Sequence, residues 1–185
     1  MGIKIKKIGD NMKKYKTKEL CLAAAMAAVV MIVTMSLQIP IPAVGGYVHP
    51  GDGIIFLAVI VFGKKYGVWA GSIGACLADI ITGFAIWGPF SFVIKGVMAF
   101  VCGKIAEKDK NKAWISPVKI FAVFAGILVS TAGYYAVGAM FLRSFSAAFL
   151  SIPSDLIQGA VAMAVYLAIS GVLMSNKKAL SIKKH

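Results

Sequence analysis

The stretch Trp87–Gly103 holds a single lysine, Lys95, in an otherwise uncharged and largely apolar run. Such a run falls within the roughly 17–25 residues that cross a bilayer. A charge at the centre of a membrane helix costs at least about 2.5–3.5 kcal/mol, so it faces the protein interior and is paired or touches a ligand. Two features therefore frame the chain: a bundle of apolar helices, and one expensive cation inside it.

Composition supports the first. Of 185 residues, 59% are hydrophobic and 15% charged, and the mean hydropathy is +0.84, more apolar surface than a small soluble core can bury. The net charge of +13 does not indicate nucleic acid, because the lysines stand in short clusters between apolar runs and not on one face of a folded domain. Cys21, Cys76 and Cys102 lie inside apolar runs without metal spacing or a C-x-x-C, and read as small packing residues. The basic start lacks a clear cleavage site, so the first apolar run is expected to stay as an anchor.

Taken in order, residues 1–18 carry Lys4, Lys6, Lys7, Lys13, Lys14, Lys16 and Lys18, a basic leader suited to an anionic inner leaflet or simply to fixing topology. Residues 19–176 form the membrane domain and 177–185 a basic tail. The spacing predicts span 1 over Glu19–Leu37, with alanines four apart at Ala23/Ala27 and Ala24/Ala28 that let another helix approach. After Pro40 and Pro42 comes a Gly-rich loop, then a short span 2 over Asp52–Phe62. Span 3 covers Gly67–Gly83, span 4 Pro89–Ile105, span 5 Pro117–Leu142, and span 6 starts at the Ser151–Asp155 helix signal and ends near Met174.

Counting basic residues orients this all-α bundle of six transmembrane helices. The leader holds seven, the turn at Lys64 and Lys65 two, the connection Lys104–Lys119 five and the tail four, whereas the opposite loops hold only Arg143. Both termini are thereby expected in the cytoplasm. The ionisable residues of the spans then gather toward the outer ends. Asp79 and Lys95 would lie roughly 6 and 9 Å deep and could meet. Asp52 and Asp155 open spans 2 and 6 from the same side, with Gln158 one turn below Asp155. Tyr47, His49, Trp87, Phe90 and Arg143 surround them, and Tyr134 lies toward the far end of span 5.

Each of these has a plainer role open to it. Asp52 and Asp155 suit helix starts as caps, Trp87 and Tyr47 suit an interfacial aromatic belt, and His49 suits an ordinary loop, no second metal ligand being placed beside it. An Asp79–Lys95 pair could be purely structural. No nucleophile elbow, phosphate-binding glycine loop or zinc motif is seen, so the chain reads as a non-enzyme, and any ATP-driven step belongs to other subunits.

The runs Gly46–Gly53, Phe62–Gly67, Ala78–Asp79 and Trp87–Phe90 through Lys95–Gly96, with the basic leader and the span 1 alanine pairs, resemble the substrate-binding S component of an energy-coupling factor (ECF) vitamin transporter. The resemblance implies a multi-pass subunit of a bacterial cell membrane that captures a water-soluble vitamin at its outer face. It implies partners: a transmembrane coupling protein and two ATPases that use the ATP, with no cofactor of its own. The subunit would topple in the membrane to release cargo. It assigns Ala23, Ala24, Ala27 and Ala28 to docking the coupling protein, the loop before span 2 to a lid, and a pocket to the outer halves of helices 4–6. Lys95, Asp79, Trp87, Phe90, Tyr47, His49, Asp52, Tyr134, Asp155 and Gln158 are the candidate substrate contacts. The start Met1-Gly2 lacks the Met-His site of metal-carrying members, and one lysine with Arg143 is few cations for a folate. Pyridoxine or hydroxymethylpyrimidine, then riboflavin, are the expected substrates. The rivals from other classes are a membrane assembly factor, in which the buried pair only fixes packing, and a self-sufficient ion-coupled transporter.

Overall fold

In a computed structural model, the backbone is described for residues 2–41, 46–111 and 113–182, and side chains for residue 17 and for 19–40, 47–111 and 113–175. The leader lysines Lys4 to Lys18 and the tail lysines Lys177, Lys178, Lys183 and Lys184 have side chains outside the described residues.

The chain runs α1 (Gly2–Ser36), β1 (Ile39–Ile41), β2 (Gly46–Val48), α2 (Gly51–Phe62), α3 (Lys64–Ile81), α4 (Gly88–Ala106), α5 (Pro117–Leu142), α6 (Phe145–Ala148), a 3-10 turn Phe149–Ser151, and α7 (Ile152–Ile182). The first helix ends at Ser36, four residues before Pro40, and the chain then pairs as an antiparallel hairpin, Ile39 with Val48 and Pro40 with Tyr47; Pro42 lies outside the described residues. Span 6 gains an unexpected preface: Ser144 caps α6 by accepting from the Ala147 amide, and Ile152 continues from the 3-10 turn into α7.

Among the described residues four helical segments are long and apolar enough to cross a membrane: Glu19–Ser36, Gly88–Ala106, Pro117–Leu142 and Phe145–Ser175. The chain is thus a multi-pass membrane protein. The other two expected spans differ in kind. With 12 residues, α2 covers about 18 Å at 1.5 Å per residue, and Gly51–Val59 is buried throughout. Neighbouring helices enclose it, which is why its apolar residues show no lipid-facing stripe. In α3, 18 residues long, Lys64 and Lys65 mark one end and Asp79 the other.

Small residues set the close approaches. A Cβ placed on Gly74 would lie 2.7 Å from the carbonyl oxygen of Ala27, so α1 and α3 touch backbone to side-chain face. One on Gly53 would lie 2.8 Å from the carbonyl oxygen of Ala162, which draws α2 against α7. The main apolar core includes Ile55, Phe56, Met98, Cys102, Val123 and Tyr166, all fully or almost fully enclosed.

Beyond that core lies the end rich in lysine. Lys64 pairs with Glu107 at 2.8 Å and Lys65 with Glu19 at 2.7 Å. The connection Glu107–Ser116 is fastened there: Tyr166 donates to the Trp114 carbonyl, Ser116 caps α5 by accepting from the Lys119 amide, and Lys119 Nζ donates to the Asn111 carbonyl. The Asp109 carboxyl accepts from the Ser116 hydroxyl and the Asn111 amide, and these bonds, with Lys119 nearby, hold it below the usual carboxylate range.

Candidate functional site

Sequence position orders the other end of the bundle into layers. On α4, Ser91, Lys95 and Met98 follow one another down one face at helical spacing; on α5 the sequence is Tyr134, Ser130, Ile127; on α7 it is Asp155, Gln158, Ala162. Above the apolar core there is therefore a polar layer, and above that a cavity.

The polar layer is built on Lys95, whose side chain is wholly enclosed. Its ammonium donates to Asp52 Oδ2 at 2.7 Å and to the Ser130 hydroxyl at 3.2 Å. Gln158 Nε2 donates to the same carboxylate oxygen at 2.9 Å, so α2, α4, α5 and α7 meet at one point. The Tyr134 ring lies over the ammonium, with the nitrogen 4.8 Å from its centroid. An ion pair this deep needs further hydrogen bonds to offset its desolvation; Ser130 and Gln158 supply two, both on the Lys95 and Oδ2 side, while Asp52 Oδ1 is buried without a hydrogen-bond partner among the described residues.

This corrects the expected Asp79–Lys95 pair. By sequence Asp79 is the acid near the depth of Lys95 and Asp52 only opens span 2, but Asp52 sits at the buried start of α2, directly across from α4, whereas Asp79 is turned to a different partner. Asp79 Oδ1 accepts from the Tyr47 hydroxyl at 2.6 Å. Nor does Asp52 act as a cap: Pro50 occupies the N-cap position of α2 and makes no side-chain cap bond. Asp155, in the first turn of α7, keeps one oxygen, Oδ2, that is buried and without a hydrogen-bond partner among the described residues.

The cavity measures about 120 Å³. Its polar lining comes from Tyr47 and His49 of the hairpin and the strand-to-helix turn, Asp79 of α3, Ser91 of α4, Ser151 of the 3-10 turn and Gln158 of α7. Its aromatic lining is Phe84, Trp87, Tyr134 and Phe141, with Gly138 and Ala148 leaving room between them. The rings brace one another: Tyr47 and Phe84 stand 4.9 Å apart, Trp87 and Phe141 5.2 Å with edge-on geometry, Trp87 and Tyr134 6.1 Å. Tyr134 also shares a 2.8 Å hydrogen bond with Ser91. His49 Nδ1 accepts from the Gly51 amide at 3.2 Å, which fixes the ring plane.

Six of the candidate residues thus line the cavity: Tyr47, His49, Asp79, Trp87, Tyr134 and Gln158. Lys95 and Asp52 stand one layer below, Asp155 one turn above Gln158, and Phe90 supports the wall by packing edge-on against Phe141 at 5.3 Å. Arg143, at the end of α5, adopts a left-handed backbone with φ 48° and is exposed. Phe84, Ser91, Phe141 and Ser151 went unselected in the sequence. Their signal was available, since Phe84 lies in the Gly83–Trp87 connection and Ser91 is one turn before Lys95 on the same face.

Of the alanines in α1, Ala27 is buried against α3 and Ala23 is partly covered, while Ala24 and Ala28 are exposed.

Comparison with known proteins gives a consistent picture. Residues 14–175 match the model of a family described as ECF-type riboflavin transporter, S component. An uncharacterised protein of Pyrococcus woesei is 32% identical over 155 residues, covering 84% of this chain and 95% of that one. The thiamine precursor transporter HmpT of Lactococcus lactis subsp. cremoris is 28% identical over 124 residues, 66% of this chain and 68% of its own. The fold resembles that of the S component of a bacterial ECF transporter, with a TM-score of 0.70 and 18% identity, over 88% of this chain and 99% of that one.

Proposed function

Because the chain belongs to the family of ECF-type riboflavin transporter S components, we propose that its cavity captures one small, water-soluble aromatic vitamin or precursor for uptake. The observation that carries this reading is the cavity itself, walled by aromatic rings and edged by Tyr47, His49, Asp79 and Gln158. Stacking faces with a few placed polar groups are what a hydroxylated heterocycle requires.

A single-ring compound, hydroxymethylpyrimidine or pyridoxine, is the favoured cargo, with riboflavin next. The likeness to a thiamine precursor transporter supports the pyrimidine. The family description supports riboflavin. In this reading α1 to α5 and α7 form a six-helix membrane bundle, with the short α2 enclosed by the others, the cavity outside and both termini inside. The pairs Lys64–Glu107 and Lys65–Glu19 then lie at the cytoplasmic face, as the excess of basic residues there requires. Ala24 and Ala28, exposed on α1, offer the docking face for a transmembrane coupling protein that works with two ATPases.

The test is mass spectrometry of small molecules co-purifying with the protein, followed by calorimetric titration with the three compounds. Tight binding of one of them, at one molecule per chain, is the expected result. Purified, folded protein that neither carries nor binds any heterocycle would favour the assembly-factor reading, in which the Lys95–Asp52 pair serves packing alone.

A further inference from the structure

The cavity offers polar groups whose hydrogen-bonding sense is fixed from behind. Gln158 Nε2 donates to Asp52 Oδ2, an oxygen that already accepts from Lys95. A carboxylate held this way can face only the amide nitrogen, since the amide oxygen would be repelled. Gln158 Oε1 is therefore the atom left for the cavity, and it takes no protein hydrogen bond among the described residues. His49 Nδ1 accepts from the Gly51 amide, so a neutral ring carries its proton on Nε2. Asp79, whose Oδ1 already accepts from Tyr47, is an acceptor when ionised.

We infer that the cavity selects its ring by polarity: an N–H or O–H of the ligand must face Gln158 Oε1, and the buried Lys95–Asp52 pair enforces this by locking the Gln158 amide in one orientation. The inference rests on the reading that the cavity holds a small heterocycle, and it specifies which kind. The ligand carries at least one donor toward α7 and a second toward Asp79, with an acceptor suited to His49. Gln158 would touch the ligand; Lys95 and Asp52 are positioning residues that act through it.

If the amide were free to turn, a ligand acceptor in the same place would be met equally well by Nε2. The lock removes that option, and a buried acceptor left unpaired opposite Oε1 weakens binding by about tenfold or more. The chain of bonds from α4 through α2 to α7 thus converts one buried charge into chemical discrimination at a distance.

The experiment uses the full chain in detergent or nanodiscs. Hydroxymethylpyrimidine, pyridoxine and riboflavin are titrated calorimetrically, and whichever binds is compared with analogues in which one donor at a time is exchanged for an acceptor of similar size, an amino group or ring N–H for an oxygen or bare nitrogen, or a hydroxyl for fluorine. At one position this exchange is expected to weaken binding about tenfold or more. In the double variant Asp52→Leu/Lys95→Met, where no carboxylate orients the amide, that penalty should shrink to within about threefold while penalties at other positions persist. A packing role alone would change all affinities together and leave this ratio unmoved. Should the double variant not fold, the closer isostere Asp52→Asn/Lys95→Met, whose own amide can face Gln158 with either its oxygen or its nitrogen, carries the same expectation for the same position. An unchanged ratio in the variant, or a parent protein indifferent to every donor-for-acceptor exchange, overturns the polarity lock while leaving the carrier intact. Failure of all three rings to bind overturns the carrier reading, and the lock falls with it.

Discussion

The Lys95 ammonium lies 2.7 Å from Asp52 Oδ2, and both side chains are almost completely enclosed. Removing one member strands the other in an apolar bundle, a situation that costs about 3–5 kcal/mol. Lys95→Met alone should therefore lower thermal stability strongly, and joining it to Asp52→Leu should restore most of the loss. Unfolding temperatures of the two proteins in one detergent decide the matter. A double variant as unstable as the single one would mean that the pair does not act as a unit.

Tyr47 ties the hairpin to α3 through a 2.6 Å bond to Asp79. Hydrogen bonds to charged groups contribute about 1.5–3 kcal/mol. Tyr47→Phe keeps the ring against Phe84 and removes the hydroxyl, with its bond to Asp79 and its polar edge on the cavity, so it should raise the ligand dissociation rate about tenfold or more. Stopped-flow displacement of bound ligand measures this; an unaltered rate would show that the hairpin is held by other contacts.

Trp87 contributes a stacking face braced by Phe141 and Tyr134. Truncating it to alanine should weaken binding by about tenfold or more, since aromatic pairing adds roughly 0.5–1.5 kcal/mol beyond the area buried. Trp87→Phe should recover part of the loss. Titration of the two variants gives the comparison.

The two alanine registers of α1 should separate cleanly. Ala24→Leu/Ala28→Leu, on the exposed face, should abolish uptake in cells while leaving ligand affinity within about twofold of the parent. Ala27→Leu should destabilise the bundle, because Ala27 is 4% exposed and its carbonyl lies where α3 comes closest. Loss of ligand binding in the Ala24/Ala28 variant would remove α1 from the role of docking face.

Much of this architecture could be read before any coordinates. Apolar runs bounded by proline and by lysine clusters located α4 and α5 to within a residue or so, because lipid and water leave few other places for such residues. The partner of Lys95 could not be read in this way. Depth along a helix says how far down a residue sits, not which way it faces across the bundle. Asp79 satisfies the depth and Asp52 reads only as the start of span 2, and it is the burial of the short α2 against α4 that brings Asp52 to the lysine. The hairpin was missed because Ile39–Ile41 and Gly46–Val48 are too short for a period to show. Likewise Ala148 and Ser151 enter the wall from the short helix α6 and the 3-10 turn that follows it, a stretch too short to carry a periodicity, and Phe141 comes from the last turn of α5.

Beneath the charged layer, Phe56, Met98 and Val123 are sealed from every side, and a Cβ on Gly126 would already lie 2.7 Å from the Phe56 ring. The vessel has a solid floor. Among the described residues these side chains close the way down the middle of the helices, so under the proposed carrier reading delivery to the far side is expected to come from a movement of the whole cup or its walls and not from threading the solute through.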